Sequence, residues 1–287
     1  MATSAALKEV LLVGFGAVGA IREADISNIR VLRSHADFRA SDSLIIKNSG
    51  LARVTAVARS NFDLVNICQS VADAADQAYD YVVLTTKAVP DIIQTSQILA
   101  PLLSSPYTDK FAQPAYLILQ NGLNVEADLY RAIKNLGKGE PKVIGSSLYI
   151  ATNLLAPDVV EHSGLARMYR HNDYGTTTNT PEESEILNGI ATALEKGGAN
   201  VKVVPEIQRV KFAKNFWNVA FSAFSTLTDY TLPAIFRPPP GPTVTYAPYV
   251  SPTTAVLVEQ YTIPTIEAIL QELLALGMQN FDSFDMH

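Results

Sequence analysis

The chain has 287 residues, of which 48% are hydrophobic, and carries a formal net charge of −6 at pH 7. That length suffices for one large domain or for two ordinary ones with buried cores. An acidic chain without a run of lysine or arginine lacks the positive surface with which proteins bind nucleic acids or anionic membranes. A phosphate-bearing ligand would therefore need a local site made of loop amides and one or two basic side chains.

The cysteine and histidine content indicates the compartment and argues against a metal. Cys68 is the single cysteine, so it cannot form an internal disulfide, and a reducing compartment is expected. Residues 1–9 are too short and polar for a signal peptide, and no apolar stretch reaches membrane-spanning length. We therefore expect a cytoplasmic protein. The four histidines show no metal-ligand spacing, so no metal site is predicted.

Short apolar runs alternate with helical patterns over the first two-thirds of the chain. The runs predict strands at residues 10–13, 54–58, 81–85, 116–119 and 143–146, with helix-like segments at 70–78, 92–103 and 125–136. A possible hairpin follows at 159–162 and 166–169. Continuous apolar strands separated by helices are typical of a parallel, doubly wound sheet. We predict an α/β fold that opens with a Rossmann-type sheet.

The pattern becomes helical after one more helix–strand pair. Thr180, Pro181 and Glu183 form an N-cap, first position and capping box for a helix that ends at 197–198, and a strand is predicted at 200–204. Helices are then predicted at 208–227 and from Pro264 to Gly277. The domain prediction is an NADP-binding Rossmann-type domain over 1–205 and an all-helical substrate and dimerisation domain over 206–287.

A glycine-rich turn follows the first strand directly. In the sequence Gly14-Phe15-Gly16-Ala17-Val18-Gly19, the first glycine allows a tight turn and the second allows close approach of a pyrophosphate. The third lets helix and strand pack closely, and the helix N-terminus, which begins near Ala17 and Val18, faces the phosphates. The alternative is a glycine turn with no ligand. The position after an N-terminal strand favours dinucleotide binding.

Arg59 suggests which dinucleotide is bound. It follows the predicted strand 54–58, and no acidic residue occurs before Asp63. An arginine at the end of the second strand suits the 2′-phosphate of NADP, although a surface arginine is the plainer alternative. Arg59 follows Gly19 by 40 residues, where about 20 are usual. We interpret residues 22–42 as an insertion that either forms an excursion or damages the phosphate site.

Polar residues follow two further strands. Lys87 ends the segment Tyr81–Lys87, and Asn121 follows the strand at 116–119. Such residues line the ligand crevice in open α/β sheets, so Lys87 is predicted to meet a phosphate or carboxylate. Asn121 is predicted to orient a nicotinamide ribose or a substrate. The alternative for Asn121 and Gly122 is an ordinary turn.

The helix at 208–227 carries a third polar group. Lys214, Asn218 and Ser222 are spaced i, i+4, i+8 and would lie along one face of an otherwise apolar helix. A partly desolvated lysine has a lowered pKa and becomes a usable general acid near neutral pH. The alternative is a lysine whose stem packs on the helix while its ammonium group reaches solvent.

Five segments in order resemble the ketopantoate (2-dehydropantoate) reductase family, and most closely its fungal members. They read LLVGFGAVGA, LARVTAVARSN, YDYVVLTTKA, LILQNGLNVE and KFAKNFWNVAFSAFSTLT. The resemblance implies a Rossmann domain followed by a helical domain. It implies reduction of a 2-oxo acid by NADPH, as in pantothenate biosynthesis, with a small-molecule substrate and no nucleic acid or membrane partner.

The resemblance also implies residue roles. Gly14, Gly16 and Gly19 would hold the pyrophosphate, and Arg59 and Lys87 would serve the cofactor. Asn121 would lie near the nicotinamide and substrate, Lys214 would protonate the carbonyl oxygen, and Asn218 would bind substrate. An offset reading uses Lys211 and Asn215 instead.

The chain also departs from the family pattern. Ser222 replaces a further asparagine of the family, residues 22–42 have no counterpart, and the C-terminal substrate-binding segment is expected to be missing. These departures leave an alternative open, in which the chain is a non-catalytic NADP-binding homologue. A chain that folds poorly is a third reading. Helical stripes after residue 250 suit a homodimer.

Overall fold

The structure, a computed structural model, describes residues 9–14, 28–32, 45–48, 55–57, 66–68, 70–156, 159–171, 178–196, 199–232, 242 and 256–281. The chain divides into two compact units, Met1–Ile207 and Gln208–His287. The domain boundary predicted after residue 205 lies two residues from this division.

The first unit is built on one sheet of ten strands. In chain order these are β1 (Glu9–Val13), β2 (Asn28–Leu32), β3 (Ile45–Asn48), β4 (Thr55–Val57), β5 (Asn66–Cys68), β6 (Tyr81–Leu84), β7 (Ala115–Ile118), β8 (Val143–Ala156), β9 (Val159–His171) and β10 (Asn200–Val203). Their order across the sheet is β4-β3-β9-β8-β7-β6-β1-β2-β5, with β10 paired to β9.

Six neighbouring strands form a continuous parallel part of this sheet, and β3 and β10 each pair parallel with β9 outside it. From β5 through β2, β1, β6 and β7 to β8, every adjacent pair is parallel. When these six are numbered in chain order, they read 3-2-1-4-5-6, which is the strand order of the Rossmann fold. The predicted Rossmann-type sheet is therefore confirmed. The strand order reverses between β1 and β6, and a ligand crevice is expected at the carboxyl ends of these two strands.

The second strand of the Rossmann order lies in the segment interpreted as an insertion. β2 pairs along its whole length with β1, from Glu9 with Asn28 to Val13 with Leu32. The strand predicted at 54–58 exists as β4, but it pairs antiparallel with β3 at the opposite edge of the sheet. The expected place of that strand beside β1 is therefore wrong. Ile29, Val31 and Leu32 supply the β-forming residues, but Arg30 interrupts them and hides the pattern.

Both faces of the central parallel strands β1, β6 and β7 are buried, as their continuous apolar runs require. Successive residues alternate between two core clusters: Val10 and Leu12 belong to one, and Leu11 and Val13 to the other. The first cluster is completed by the helix α4 (Pro181–Lys196). The second is completed from the segment between β6 and β8, whose helices are α1 (Thr95–Ile98), a 3₁₀ turn (Ala100–Leu102), α2 (Tyr107–Lys110) and α3 (Ala127–Asn135).

Several predicted elements differ in detail. The segment predicted as helix-like at 70–78 consists of turns, with Ser70 hydrogen-bonding the Asp73 side chain at 2.8 Å. The hairpin predicted inside 159–169 is a single strand, β9, which pairs antiparallel with β8. The capping box of α4 is confirmed, because Thr180 N–H donates to Glu183 at 2.6 Å and Glu183 N–H donates to Thr180 Oγ1 at 3.2 Å.

The second unit has helices alone among its described elements, which confirms the all-helical prediction. They are α5 (Ile207–Trp217), whose first residue belongs to the first unit, α6 (Ala223–Thr228) and α7 (Ile263–Asn280). A π-helical turn over Asn218–Ser222 joins α5 to α6, and another over Val258–Thr262 precedes α7. Gly277 was expected to end the last helix, but it is buried within α7, which continues to Asn280.

Candidate functional site

Gly14 follows β1 and takes a conformation that only glycine adopts readily. Its φ is +97°, and a Cβ atom there would lie 3.0 Å from both the amide nitrogen and Cγ2 of Thr86. The hydroxyl of Thr85 donates to the carbonyl oxygen of Gly14. This hydrogen bond holds Gly14 next to the end of β6. The strand order of the sheet reverses between β1 and β6. Gly16, Ala17, Val18 and Gly19 lie outside the described residues.

Lys87 and Asn121 lie where β6 and β7 end. Lys87 comes three residues after β6, and Asn121 three residues after β7. Both side chains are exposed, and because the two strands are parallel neighbours both residues follow the same edge of the sheet. Gly122 turns the chain directly after Asn121: its φ is +116°, and a Cβ atom would lie 2.8 Å from Val125 Cγ1. The tight turn therefore requires glycine.

Gln120, which the sequence analysis did not single out, is buried between these elements with only 4% of its surface exposed. Its Nε2 donates to Thr86 Oγ1 at 3.0 Å, and its Oε1 accepts from Thr95 Oγ1 at 3.2 Å. One amide thus connects the end of β7 with the end of β6 and the start of α1. The signal in the sequence was a polar residue directly after an apolar strand.

A small cavity of about 190 Å³ opens beside this amide. Gln120 and Thr95 form part of its wall, together with apolar side chains that include Val89, Ile93 and Leu123. Arg131 and Asp128 also line it. The volume is below the roughly 300–1,000 Å³ of typical ligand pockets, so this cavity has room for a fragment of a ligand.

Lys214 lies on α5 in the second unit and is half-buried. The pKa of Lys214 is lowered to about 8, first because burial disfavours the charged ammonium group and second because the positive charge of Lys211 is close by. Lys211, the residue of the offset reading, is itself only 5% exposed. At neutral pH, Lys214 is therefore protonated yet able to give up its proton.

Asn218 and Ser222 lie in the π-helical turn that follows α5. The sequence predicted one regular helix through these residues, whereas the structure has a π-helical turn here. Asn218 is half-buried like Lys214, whereas Ser222 is exposed. The single polar face of Lys214, Asn218 and Ser222 stays a prediction. π-helical turns within helices often occur at functional sites.

Arg59, the residue predicted to select NADP, lies outside the described residues. The strand before it, β4, is at the edge of the sheet, whereas the strand beside β1 is β2. In a Rossmann unit, the residue that contacts the ribose or its phosphate follows the strand next to the first. In this chain the residue that follows β2 is Arg33, which comes 14 residues after Gly19, where Arg59 comes 40 residues after it.

The strand order, the glycine at the reversal point and the helical second unit define an α/β protein with a Rossmann-type sheet followed by a helical unit. The family model described as ketopantoate reductase PanE/ApbA matches residues 10–172. The chain therefore belongs to the ketopantoate reductase family, a family of 2-dehydropantoate 2-reductase oxidoreductases. No curated protein matches the chain in sequence.

Solved structures agree with this assignment at the level of the fold. The 2-dehydropantoate 2-reductase of Methylococcus capsulatus is 18% identical, with a TM-score of 0.60 over 96% of this chain and 98% of that chain. A dimeric ketopantoate reductase of Staphylococcus aureus is 13% identical, with a TM-score of 0.56 over 97% of this chain and 76% of that chain. A D-mandelate dehydrogenase solved with NADH and anilino(oxo)acetate is 15% identical, with a TM-score of 0.59 over 96% and 80%.

The described residues contain no group of three or more His, Cys, Asp or Glu side chains that could hold a metal ion. None of the helices they form is long and apolar enough to cross a membrane.

Proposed function

We propose that this protein reduces a 2-oxo acid, such as 2-dehydropantoate, to the 2-hydroxy acid with NADPH as hydride donor. The observation that carries the proposal is the set of residues at the edge of the sheet where the strand order reverses. Gly14 follows β1 and packs against Thr85 and Thr86, which follow β6. Lys87 follows β6 and Asn121 follows β7, the parallel neighbour of β6. This is the part of a Rossmann sheet where dinucleotides bind.

The residues present fit a dinucleotide. A Cβ atom at position 14 would collide with the backbone of Thr86, so the tight turn that opens the phosphate loop depends on glycine here. Gly16, Ala17, Val18 and Gly19 would surround the pyrophosphate, and Lys87 would neutralise part of its charge. Asn121 would orient the nicotinamide ribose. When bound, the reduced nicotinamide supplies the hydride.

Lys214 would supply the proton. Reduction of a keto group leaves negative charge on its oxygen, and a lysine ammonium positioned there both stabilises that charge and transfers a proton to it. Burial has already lowered the pKa of Lys214 to about 8, which brings the acid close to the operating pH. Asn218 and Ser222 would bind the substrate. We prefer Lys214 to Lys211 because Lys211 is nearly completely buried.

Arg59 remains our proposal for NADP selection, and the position of β2 makes Arg33 a second candidate. A side chain that pairs with the 2′-phosphate strengthens NADPH binding and leaves NADH binding nearly unchanged. The D-mandelate dehydrogenase neighbour was solved with NADH. Parallel titrations with NADPH and NADH test which of the two this chain prefers.

A fluorescence titration of the folded protein with NADPH, and in parallel with NADH, tests the cofactor part of the proposal. Selective binding of NADPH is expected. Turnover with a panel of 2-oxo acids then separates an enzyme from a non-catalytic homologue, because the homologue would bind NADPH and reduce none of the acids. A folded protein that binds neither nucleotide would contradict the proposal.

We also propose that the protein is a cytoplasmic homodimer. The end of the second unit exposes apolar side chains at Tyr261 (61%), Leu276 (47%) and Met278 (67%). Exposed apolar patches of this kind mark interfaces between proteins. Sedimentation equilibrium of the purified chain is expected to give twice the monomer mass, and a monomer at micromolar concentration would contradict this part.

A further inference from the structure

The Gln120 side chain connects three segments just beyond the point where the main-chain pairing of β6 and β7 ends. The last paired residues of β6 and β7 are Leu84 and Ile118, and the next main-chain hydrogen bond runs from Leu119 N–H to Leu84 O at 2.9 Å. Beyond this point the Gln120 amide continues the link through side chains, to Thr86 on one side and to Thr95 on the other. The bridge therefore lies between the last paired residues and the turns that carry Lys87 and Asn121.

The neighbours of this bridge belong to the candidate cofactor site. Thr86 directly precedes Lys87, and its amide nitrogen is one of the atoms that a side chain at position 14 would strike. Gln120 directly precedes Asn121. A displacement of Gln120 would consequently move the Thr86 surface against which Gly14 packs. It would also move the backbone positions from which the side chains of Lys87 and Asn121 extend.

Packing alone does not explain why a glutamine occupies position 120. An amide buried to this extent is unfavourable unless its donor and acceptor are both satisfied, and an apolar side chain of equal size would fill the same space without that requirement. The amide instead fixes a geometry, because hydrogen bonds from one planar group to two hydroxyls define both its distance and its orientation. It also forms part of the wall of the cavity of about 190 Å³.

We propose that Gln120 is a positioning residue for the cofactor site, whose amide sets the separation of the strand ends that carry Lys87 and Asn121. The inference rests on the proposed function, since it concerns how the same site binds NADPH. It predicts that the loss of the amide weakens the cofactor site specifically, beyond any general loss of stability.

The chain offers a matched control at the opposite end of the same strand. Gln113 precedes β7, where its Nε2 donates to Leu102 O at 2.9 Å and its Oε1 accepts from Tyr116 OH at 2.9 Å. Gln113→Met removes the same number of amide hydrogen bonds as Gln120→Met. It does so at the amino end of the strand, away from the ligand edge of the sheet.

The experiment measures the Kd of NADPH and the Tm for wild type, Gln120→Met and Gln113→Met. Both variants are expected to lower the Tm. Gln120→Met is expected to raise the Kd about tenfold, whereas Gln113→Met should change it less than about twofold. If Gln120→Met does not fold, Thr86→Val replaces it, because it removes the hydrogen bond between Gln120 and the end of β6 while it preserves the shape of the side chain.

A double-mutant cycle with Lys87→Ala distinguishes positioning from simple destabilisation. If Gln120 acts by placing Lys87, the tenfold effect should shrink to about threefold or less in the Lys87→Ala background. Equal Kd values for the Gln120 and Gln113 variants would overturn the inference alone, as would full additivity with Lys87→Ala. A wild-type protein that binds no NADPH would overturn the proposed function, and the inference with it.

Discussion

The edge of the parallel sheet in the first unit and the helix α5 in the second unit carry different kinds of candidate residue. At the sheet edge, the proposed role rests on backbone shape: a positive φ at Gly14, a tight turn at Gly122 and a bridging amide at Gln120. On α5, the proposed role rests on the chemistry of one side chain, since burial and the charge of Lys211 lower the pKa of Lys214 to about 8. Changes at the edge should therefore alter binding, and changes on the helix should alter turnover.

The largest expected effect is on the helix. Lys214→Ala removes the proposed general acid, and we expect kcat to fall by about 10²–10⁴-fold while the Kd of NADPH stays nearly unchanged. Steady-state kinetics and a fluorescence titration of the same preparation measure both. Lys211→Ala is the control for the offset reading. If it abolished turnover and Lys214→Ala did not, the assignment of Lys214 would be wrong.

At the sheet edge, Gly14→Ala should have the strongest effect. It combines an unfavourable φ with a contact of 3.0 Å to the Thr86 backbone, and we expect a loss of roughly 2–5 kcal/mol in the free energy of unfolding. NADPH binding should be lost as well. Gly139→Ala is the matched control, because Gly139 has a φ of +109° but no atom within 4 Å of an added Cβ. Urea unfolding that gives equal losses for the two variants would show that the contact with Thr86 is unimportant.

Smaller effects are expected from the two arginines that compete for the 2′-phosphate. Whichever of Arg59 and Arg33 pairs with that phosphate, its replacement by alanine should weaken NADPH roughly tenfold or more, with little change for NADH. Parallel titrations of the two variants with both nucleotides decide between them. Equal losses for NADPH and NADH in both variants would exclude a selective role for either arginine.

The smallest expected effect is a shift in the pH profile. As a general acid, Lys214 must be protonated, so kcat/KM should be constant below its pKa and fall as the pH rises through about 8. Lys211→Gln removes the second cause of the lowered pKa and leaves burial, the larger cause, in place. The fall should therefore move to somewhat higher pH, whereas Lys211→Arg, which keeps the charge, should leave it in place. A profile that does not move in Lys211→Gln would contradict the electrostatic coupling.

The central strands of the parallel sheet could be predicted from the sequence, but the position of β2 beside β1 could not. The strands β1, β6 and β7 are continuous apolar runs, because parallel strands are covered on both faces, and such runs are visible without any knowledge of the partner. β2 contains Arg30 between its apolar residues, so its pattern resembled a polar insertion. Its place beside β1 depends on pairing with a distant segment, which local sequence does not reveal.

The candidate site shows the same division. The glycine loop, Lys87 and Asn121 follow recognisable strands, so their common edge could be predicted. Gln120 could not, because its partners Thr86 and Thr95 lie 34 and 25 residues away. On α5, the apolar neighbours of Lys214 indicated its burial, but no residue pattern in the sequence marked the π-helical turn at Asn218–Ser222.

The most direct test of the account follows the hydride itself. The protein is incubated with 2-dehydropantoate and with other 2-oxo acids in the presence of NADPH that carries deuterium at the transferable position of the nicotinamide, and the products are analysed by mass spectrometry. We expect deuterium on the carbinol carbon of a 2-hydroxy acid with wild type and almost none with Lys214→Ala. A wild-type protein that binds NADPH but transfers no deuterium to any of these acids would contradict the proposed reductase function.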